Sequence, residues 1–441
     1  MVEIQIPEKV NKIIHTLQEH GYEAYAVGGC VRDSFLGREP MDWDITTSAM
    51  PEETKVLFPH TFDTGIEHGT ITVLLDHEGF EVTTYRVDGK YEDSRHPKEV
   101  IFVRNLQEDL LRRDFTINAM AYNEKEGLVD IFGGMDDLRA GIIRCVGNAQ
   151  ARFSEDALRI LRGIRFAAQL GFELEDETRE GMRLLAPTLR KISAERIQVE
   201  LVKTLTSSRP DLLREAWKLG ITKEFLPEFD LAMETTQETV HHMYTVGEHI
   251  LHTLLEVRPD RILRLTMLLH DIGKPYMKTM DADGVAHFKG HPEKSSELAN
   301  EILHRLKFDN DTIRKVTKLV RYHDHRMPVT PAHVRRAVHE IGEDLFPLYL
   351  EVRRADVAAQ SMYQHKEKVA DIDGVEKFYH EIMERKECVS LKMLAVTGKD
   401  LIAIGMKPGK EIGQMLEHFL DLVLEHPELN QKEELLKRIE L

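Results

Sequence analysis

Apolar residues recur at helical spacing near the start of the chain. Val10, Ile13, Ile14 and Leu17 share one face, and Gly21 marks the end of that helix. Strand patterns follow. Residues 23–27 (EAYAV) read as a strand that ends at Gly28-Gly29. Residues 70–75 (TITVLL) and 80–86 (FEVTTYR) read as a hairpin that turns through Asp76 to Gly79. The stretch 87–100 is polar and poor in apolar residues, the pattern of a mobile loop. Strand signals fade after about residue 147, and helical spacing dominates from Ser154, punctuated by Pro210, Pro227 and Pro275. The expected fold is α+β: a mixed sheet with helices at the N-terminus, followed by an all-α remainder. Breaks in the pattern predict soft boundaries near residues 140, 205, 235 and 335.

The 441 residues leave room for two to four domains at roughly 100–200 residues each. With 42% hydrophobic and 31% charged residues, the chain can bury real cores. No apolar run approaches the roughly 20 residues needed to span a bilayer, so no membrane association is expected. The opening Met1-Val2-Glu3-Ile4 has no basic segment ahead of an apolar stretch, which predicts no secretory signal. Cys30, Cys145 and Cys388 are far apart and read as the reduced thiols of a cytoplasmic protein. The formal net charge of −17 argues against nucleic-acid binding. That figure is a sum over the whole chain, however, whereas binding responds to local fields.

Gly28-Gly29-Cys30-Val31-Arg32-Asp33 follows a strand and opens a short helix. Glycines there let the backbone approach a phosphate, and Arg32 adds a forked cation. Asp42-Trp43-Asp44-Ile45 comes about ten residues later. In a strand, Trp43 and Ile45 would face a core and Asp42 and Asp44 would point together to the other side. Two carboxylates so close repel unless a cation lies between them. A pair of Mg²⁺ ions held there can activate a hydroxyl and steady a leaving pyrophosphate. A surface strand with solvated acids is the plainer alternative for an isolated D-x-D, and the preceding GGxVRD weighs against it. Glu81, on the second hairpin strand, is a candidate third acid or a surface ion pair.

The run Arg112-Arg113-Asp114-Phe115-Thr116-Ile117-Asn118 carries two cations, an acid and an amide. Arginine suits phosphate oxygens, and Asn118 can bond a ribose hydroxyl. Further on, Ser154 is the expected N-cap of a helix whose buried stripe is Ala157, Ile160, Leu161, Ile164 and Ala168. Asp156, Arg159, Arg162 and Arg165 recur every three residues on the opposite side. They form either a solvated face or a rigid acceptor–donor pair matched to a base edge. Cytosine and adenine offer an exocyclic amine to such an acceptor, and uracil and guanine do not present one there.

Taken together, GGCVRD (28–33), DWD (42–44), RRDFTIN (112–118) and EDALR with LRGIR (155–165) resemble the class II tRNA nucleotidyltransferase family, the CCA-adding enzymes. The resemblance implies that Asp42 and Asp44 bind Mg²⁺ and that Gly29 and Arg32 contact the incoming nucleotide. It implies that Arg113, Asp156, Arg159, Arg162 and Arg165 line the nucleotide pocket, with Asp156 and Arg159 reading the base. Expected partners are tRNA, CTP and ATP. Expected parts are a catalytic head (1–138), a helical neck and body (139–235), an HD-like domain (236–335) and an RNA-binding tail (336–441). The presence of the loop at 87–100 favours enzymes able to add the final A. Poly(A) polymerases and A-only-adding enzymes share most of these motifs.

The later half is rich in histidine: His241-His242, His249, His270-Asp271, His287, His291 and His323-Asp324-His325. Such a series suits a divalent transition metal with a water nucleophile. It resembles an HD-domain phosphohydrolase, which some bacterial CCA-adding enzymes carry. By that resemblance His249, His270, Asp271 and Asp324 are core ligands for Mn, Ni, Co or Mg, with His291 and His323 as further candidates. A helical bundle whose histidines only pack is the alternative. A phosphohydrolase with a relic head, or an inactive RNA-binding scaffold, are the rival readings of the whole chain.

Overall fold

The computed structural model describes residues 3–88 and 100–439. The chain forms two compact units, one ending at Pro227 and the other starting at Glu228.

The first unit opens with the amphipathic helix Glu8–Glu19, which buries Val10, Ile13, Ile14 and Leu17 as their spacing requires. It packs on a seven-stranded mixed sheet. In chain order the strands are β1 (Ala24–Val27), β2 (Ile45–Thr47), β3 (Thr61–Gly65), β4 (Thr70–Leu75) and β5 (Glu78–Thr84). There follow β6 (Arg86–Asp88), β7 (Val100–Phe102), β8 (Met120–Asn123) and β9 (Gly127–Asp130). The sheet order is β3-β4-β5-β2-β1-β8-β9, and β6 pairs with β7 separately. Within this sheet β2 and β5 run parallel and the other described neighbours are antiparallel. Every residue of the interior strand β1 is buried; three are aliphatic, and the hydroxyl of the fourth, Tyr25, donates to Glu126 at 2.7 Å.

The hairpin β4–β5 turns more tightly than the sequence pattern predicts. Leu75 pairs with Glu78, leaving only Asp76 and His77 in the turn, with φ of 48° and 66°. Two left-handed residues match the strand twist, so β5 starts two residues earlier than expected. Most of the expected loop at 87–100 lies outside the described residues. Its ends are the paired strands β6 and β7.

A second difference concerns Ser154. It is not an N-cap but lies inside the helix Ala149–Glu155, whose own cap is Asn148. The chain breaks at Asp156 (φ −137°), and the helix Leu158–Leu170 begins beyond it. Asp156 Oδ1 accepts from Leu158 N at 3.0 Å, so the acid caps the helix that the serine was expected to cap. Gly163 in that helix lets a neighbour approach: a Cβ there would stand 2.1 Å from Met182 Cε.

The second unit is helical apart from one short antiparallel pair, Thr279–Met280 with Ala286–His287, among the described residues. The helices Val246–Glu256, Arg261–Leu269, Asn310–Tyr322 and Phe346–Ala358 pack on one another, and His291–Arg305 covers Asn310–Tyr322. No break in packing falls at the expected boundary of 335. Leu319, Val334, Phe346 and Tyr349 share one apolar core, and Phe346–Ala358 packs on the histidine-bearing helices. No helix among the described residues is long and apolar enough to cross a membrane.

Candidate functional site

In the first unit a cavity of about 700 Å³ opens where β1, the start of the helix Gly29–Phe35 and the helix Leu158–Leu170 meet. Eight arginines and three aspartates line it, so the lining carries more positive than negative groups despite the charge of the whole chain. Gly29, Arg32, Arg113, Asp44, Asp156, Arg159, Arg162 and Arg165 all reach this wall. Sequence motifs up to 137 positions apart in number, from Gly28 to Arg165, therefore converge on one space.

The arginines are held from behind by buried acids and amides. Arg32 Nη1 donates to Asn118 Oδ1 at 2.6 Å, and its other nitrogens bond Asp33 at 2.9 Å. Asn118 in turn donates to Asp114 Oδ1 at 3.1 Å. Arg162 grips Asp114 Oδ2 at 2.7 Å. Burial alone would raise the Asp114 pKa, but Arg162, Asn118 and Arg159 outweigh it and hold the carboxyl at about 2. Asp109 is wholly buried and bonds Arg112 at 2.8 Å and Arg113 at 3.4 Å. Gly28 has a φ of 85°, and a Cβ there would meet Arg113 Nη1 at 3.0 Å, so this turn accepts glycine alone without strain.

The carboxylate pair departs from the expected strand geometry. β2 begins at Ile45, so Asp42, Trp43 and Asp44 precede it outside the strand, and Asp42 is exposed and is not among the residues that line the cavity. Asp44 is still tied to β1, because its carbonyl accepts from Val27 N at 3.0 Å. Ile45 is buried, whereas Trp43 is only half-buried. Asp44 faces the cavity; its pKa is raised by burial, lowered by Arg113 and raised again by Asp42. A divalent cation held by both carboxylates would cancel that repulsion. Ile45 lies opposite Val82 in the parallel pair β2–β5, which sets Glu81 beside Asp44 in register.

Asp156 and Arg159 are rigidly mounted. Asp156 Oδ2 accepts from Arg196 at 2.7 Å. Arg159 donates to Glu155 at 2.7 Å and to the Arg112 carbonyl at 2.9 Å. Arg165 is buried, paired with Glu200 at 3.1 Å and laid 4.1 Å over the Phe166 ring. The face considered from the sequence is therefore the wall of a cavity, with Arg159 and Arg165 buried and Asp156 and Arg162 partly exposed to it. Sequence reasoning missed Asp109, Arg196, Glu200 and Phe166. Asp109 had a local signal, since it stands three and four residues before Arg112 and Arg113 on one helical turn. Arg196 had none.

In the second unit His249, His270 and Asp271 come together, as do Asp271, His291 and His323. His249 Nε2 lies 2.9 Å from Asp356 Oδ1 and 3.5 Å from Asp271 Oδ2. Asp324 does not join them: its carboxylate faces Arg326 at 3.4 Å and Arg353 at 3.6 Å. Asp356 occupies the position expected for it. This acid is on the helix Phe346–Ala358, with no neighbouring histidine in sequence to mark it. A cavity of about 400 Å³ adjoins the cluster.

The chain matches three family models: the poly A polymerase head domain over residues 24–144, a probable RNA- and SrmB-binding site of polymerase A over 171–233, and a putative tRNA nucleotidyltransferase domain 2 over 291–439. A CCA-adding enzyme of Levilactobacillus brevis is 36% identical over 410 residues, 93% of this chain and 91% of that protein. One from Limosilactobacillus reuteri is 34% identical over 438 residues, 98% of this chain and 96% of that protein. Among solved structures, the Bacillus stearothermophilus CCA-adding enzyme in complex with CTP is similar, with a TM-score of 0.72 and 29% identity over 98% of both chains. The Thermotoga maritima enzyme complexed with tRNA shares the fold, with a TM-score of 0.61 at 21% identity over 99% of this chain and 97% of that one.

Proposed function

Since this chain belongs to the family of CCA-adding enzymes, and so is a nucleotidyltransferase, we propose that it adds C, C and A to the 3′ end of tRNA from CTP and ATP and releases pyrophosphate. One observation carries this reading: an arginine-walled cavity holds Asp44 on one side and the braced Asp156/Arg159 pair on another. Phosphate, reacting hydroxyl and base each find a suitable group within it.

Arg32 and Arg113 hold the triphosphate, positioned by Asn118 and Asp109 so that little reorganisation is needed as charge develops. Mg²⁺ bound at Asp42 and Asp44 would activate the tRNA hydroxyl and neutralise the departing pyrophosphate. Glu81 is the proposed third carboxylate, supported by its register beside Asp44. Asp156 keeps a lone pair on each oxygen beyond its bonds to Leu158 N and Arg196, and these accept from the amine of cytosine or adenine. Gly29 leaves room for the phosphates, and Arg162 and Arg165 complete the wall. We retain the reading of head, neck and body, HD-like part and tail, with the HD-like part extended through Asp356. A tRNA substrate and buried free thiols fit a cytoplasmic protein.

For the second unit we propose a divalent transition metal, Mn, Ni, Co or Mg, held by His249, His270, Asp271 and Asp356, and a phosphohydrolase activity there.

Incubating the protein with tRNA that lacks its terminal CCA, and with single labelled nucleotides, tests the first reading. CTP alone should add two residues, and CTP with ATP should complete the end. Long adenylate tails on unrelated RNA would instead indicate a poly(A) polymerase. Asp44→Asn should slow incorporation by about a hundredfold or more while leaving the melting temperature intact.

A further inference from the structure

A base chosen without a template must be met along its pairing edge by side chains. Cytosine offers an amine hydrogen at N4 beside a lone pair at N3, and adenine offers the same order at N6 and N1. Uracil and guanine reverse it, with a carbonyl oxygen beside a ring N–H. An acceptor set next to a donor therefore takes C and A and refuses U and G. Asp156 supplies the acceptor. Which arginine supplies the donor depends on which guanidinium has a hydrogen to give.

Arg159 is largely spent on the protein. Its Nη1 carries two hydrogens, and these go to the Arg152 carbonyl at 3.1 Å and to Glu155 Oε2 at 2.7 Å. Its Nη2 donates to the Arg112 carbonyl at 2.9 Å. These bonds tie the helix Leu158–Leu170 to the helix before it and to the Arg112-Arg113 segment, which is the work of a brace.

Arg196 is placed differently. It enters from the first turn of the helix Ala194–Leu205, and its Nη2 donates to Asp156 Oδ2 at 2.7 Å. The side chain lines the cavity and is 28% exposed, against 10% for Arg159. Its Nη1 is out of water and meets no acceptor. Folded proteins rarely leave a buried donor unpaired, because the lost hydration is not recovered. Both terminal nitrogens of a guanidinium share one carbon, so Nη1 stands beside the carboxylate that Nη2 holds. Acceptor and unspent donor are thus neighbours in the cavity wall. We propose that Arg196, rather than Arg159, is the donor that reads the base: Nη1 gives a hydrogen to N3 of cytosine or N1 of adenine while Asp156 accepts from the amine. The inference rests on the reading of this cavity as the nucleotide site. With UTP or GTP a ring N–H meets Arg196 and a carbonyl meets Asp156, so both contacts fail together.

The test removes one atom from the base. 3-Deaza-CTP carries C–H in place of N3 and offers no lone pair there. Single-nucleotide incorporation into tRNA lacking its terminal CCA is measured with CTP and with 3-deaza-CTP, using the full-length protein, Arg196→Met and Arg159→Met. The unaltered protein should prefer CTP by about tenfold or more in kcat/KM. Arg196→Met should use CTP more slowly and lose most of the preference, whereas Arg159→Met should keep it. A residue that only braces Asp156 would slow both nucleotides alike. Survival of the preference in Arg196→Met, or its loss in Arg159→Met, would therefore overturn the assignment. So would an unaltered protein that uses the two nucleotides equally. An unaltered protein that incorporates no CTP at all would overturn the reading of the cavity, and this inference with it. If Arg196→Met does not melt cooperatively, Arg196→Gln replaces it, since one amide nitrogen can hold Asp156 but leaves no second nitrogen for the base. If the variant folds without turning over, the ratio of dissociation constants for CTP and 3-deaza-CTP decides in the same way.

Discussion

Asp114 sits at the back of the arginine wall, buried and bonded by Arg162, Asn118 and the Phe115 amide. Burial opposes its charge, yet the guanidinium groups hold its pKa at about 2, below the ordinary carboxylate value. A depressed carboxylate stabilises the fold fully above its unfolded pKa of about 3.9 and loses that contribution as the pH falls through its folded value. Asp114→Asn should therefore cost about 2 kcal/mol at neutral pH, with the gap closing between about pH 4 and pH 2. Denaturant midpoints of both proteins across that range check this; a gap independent of pH would assign the cost to packing instead. At this scale the sequence picked out Gly29, Arg32, Asp44 and the arginines at 113, 159, 162 and 165 as one group, and they share one cavity, because each lies in a short run of unusual chemistry; Asp42, in the same run as Asp44, is exposed and does not line it. Asp356 and Arg196 were not. Each is an isolated polar residue in an ordinary helix, and only tertiary packing brings it to its partners.

Element boundaries were less legible than element types. The hairpin β4–β5 and the first helix were visible in their periodicity, but the turn at Asp76-His77 and the break at Asp156 depend on local backbone geometry. The break is also functional, since one carboxylate both caps the helix Leu158–Leu170 and faces the cavity. Asp156→Ala should therefore do two things at once. It removes a cap worth about 1 kcal/mol and leaves Arg196 without its acid. The melting temperature should fall by a few degrees, and discrimination against UTP and GTP should weaken by about tenfold or more. Asp156→Asn, which can still cap, separates the two: it should recover most of the stability and little of the selectivity. Recovery of both would show that the acid acts on base choice only by holding the helix.

Across the whole molecule, the excess of acidic over basic residues hides a locally cationic site. Affinity for tRNA should fall by about tenfold or more between 50 and 200 mM monovalent salt, as counterions compete for the phosphate contacts. A flat profile in a filter-binding assay would mean that these arginines do not carry RNA affinity. The two units divide eight residues before the pattern break expected near 235, whereas the break expected near 335 falls inside one apolar core that joins Leu319 to Phe346. The eight-arginine wall has one more consequence. Every ribonucleoside triphosphate presents the same chain of phosphates, so a grip built on guanidinium groups admits all four alike, and fidelity must be exercised after capture. UTP and GTP should thus occupy the cavity and compete with CTP at concentrations within about tenfold of its own, as unproductive visitors that are held but not joined.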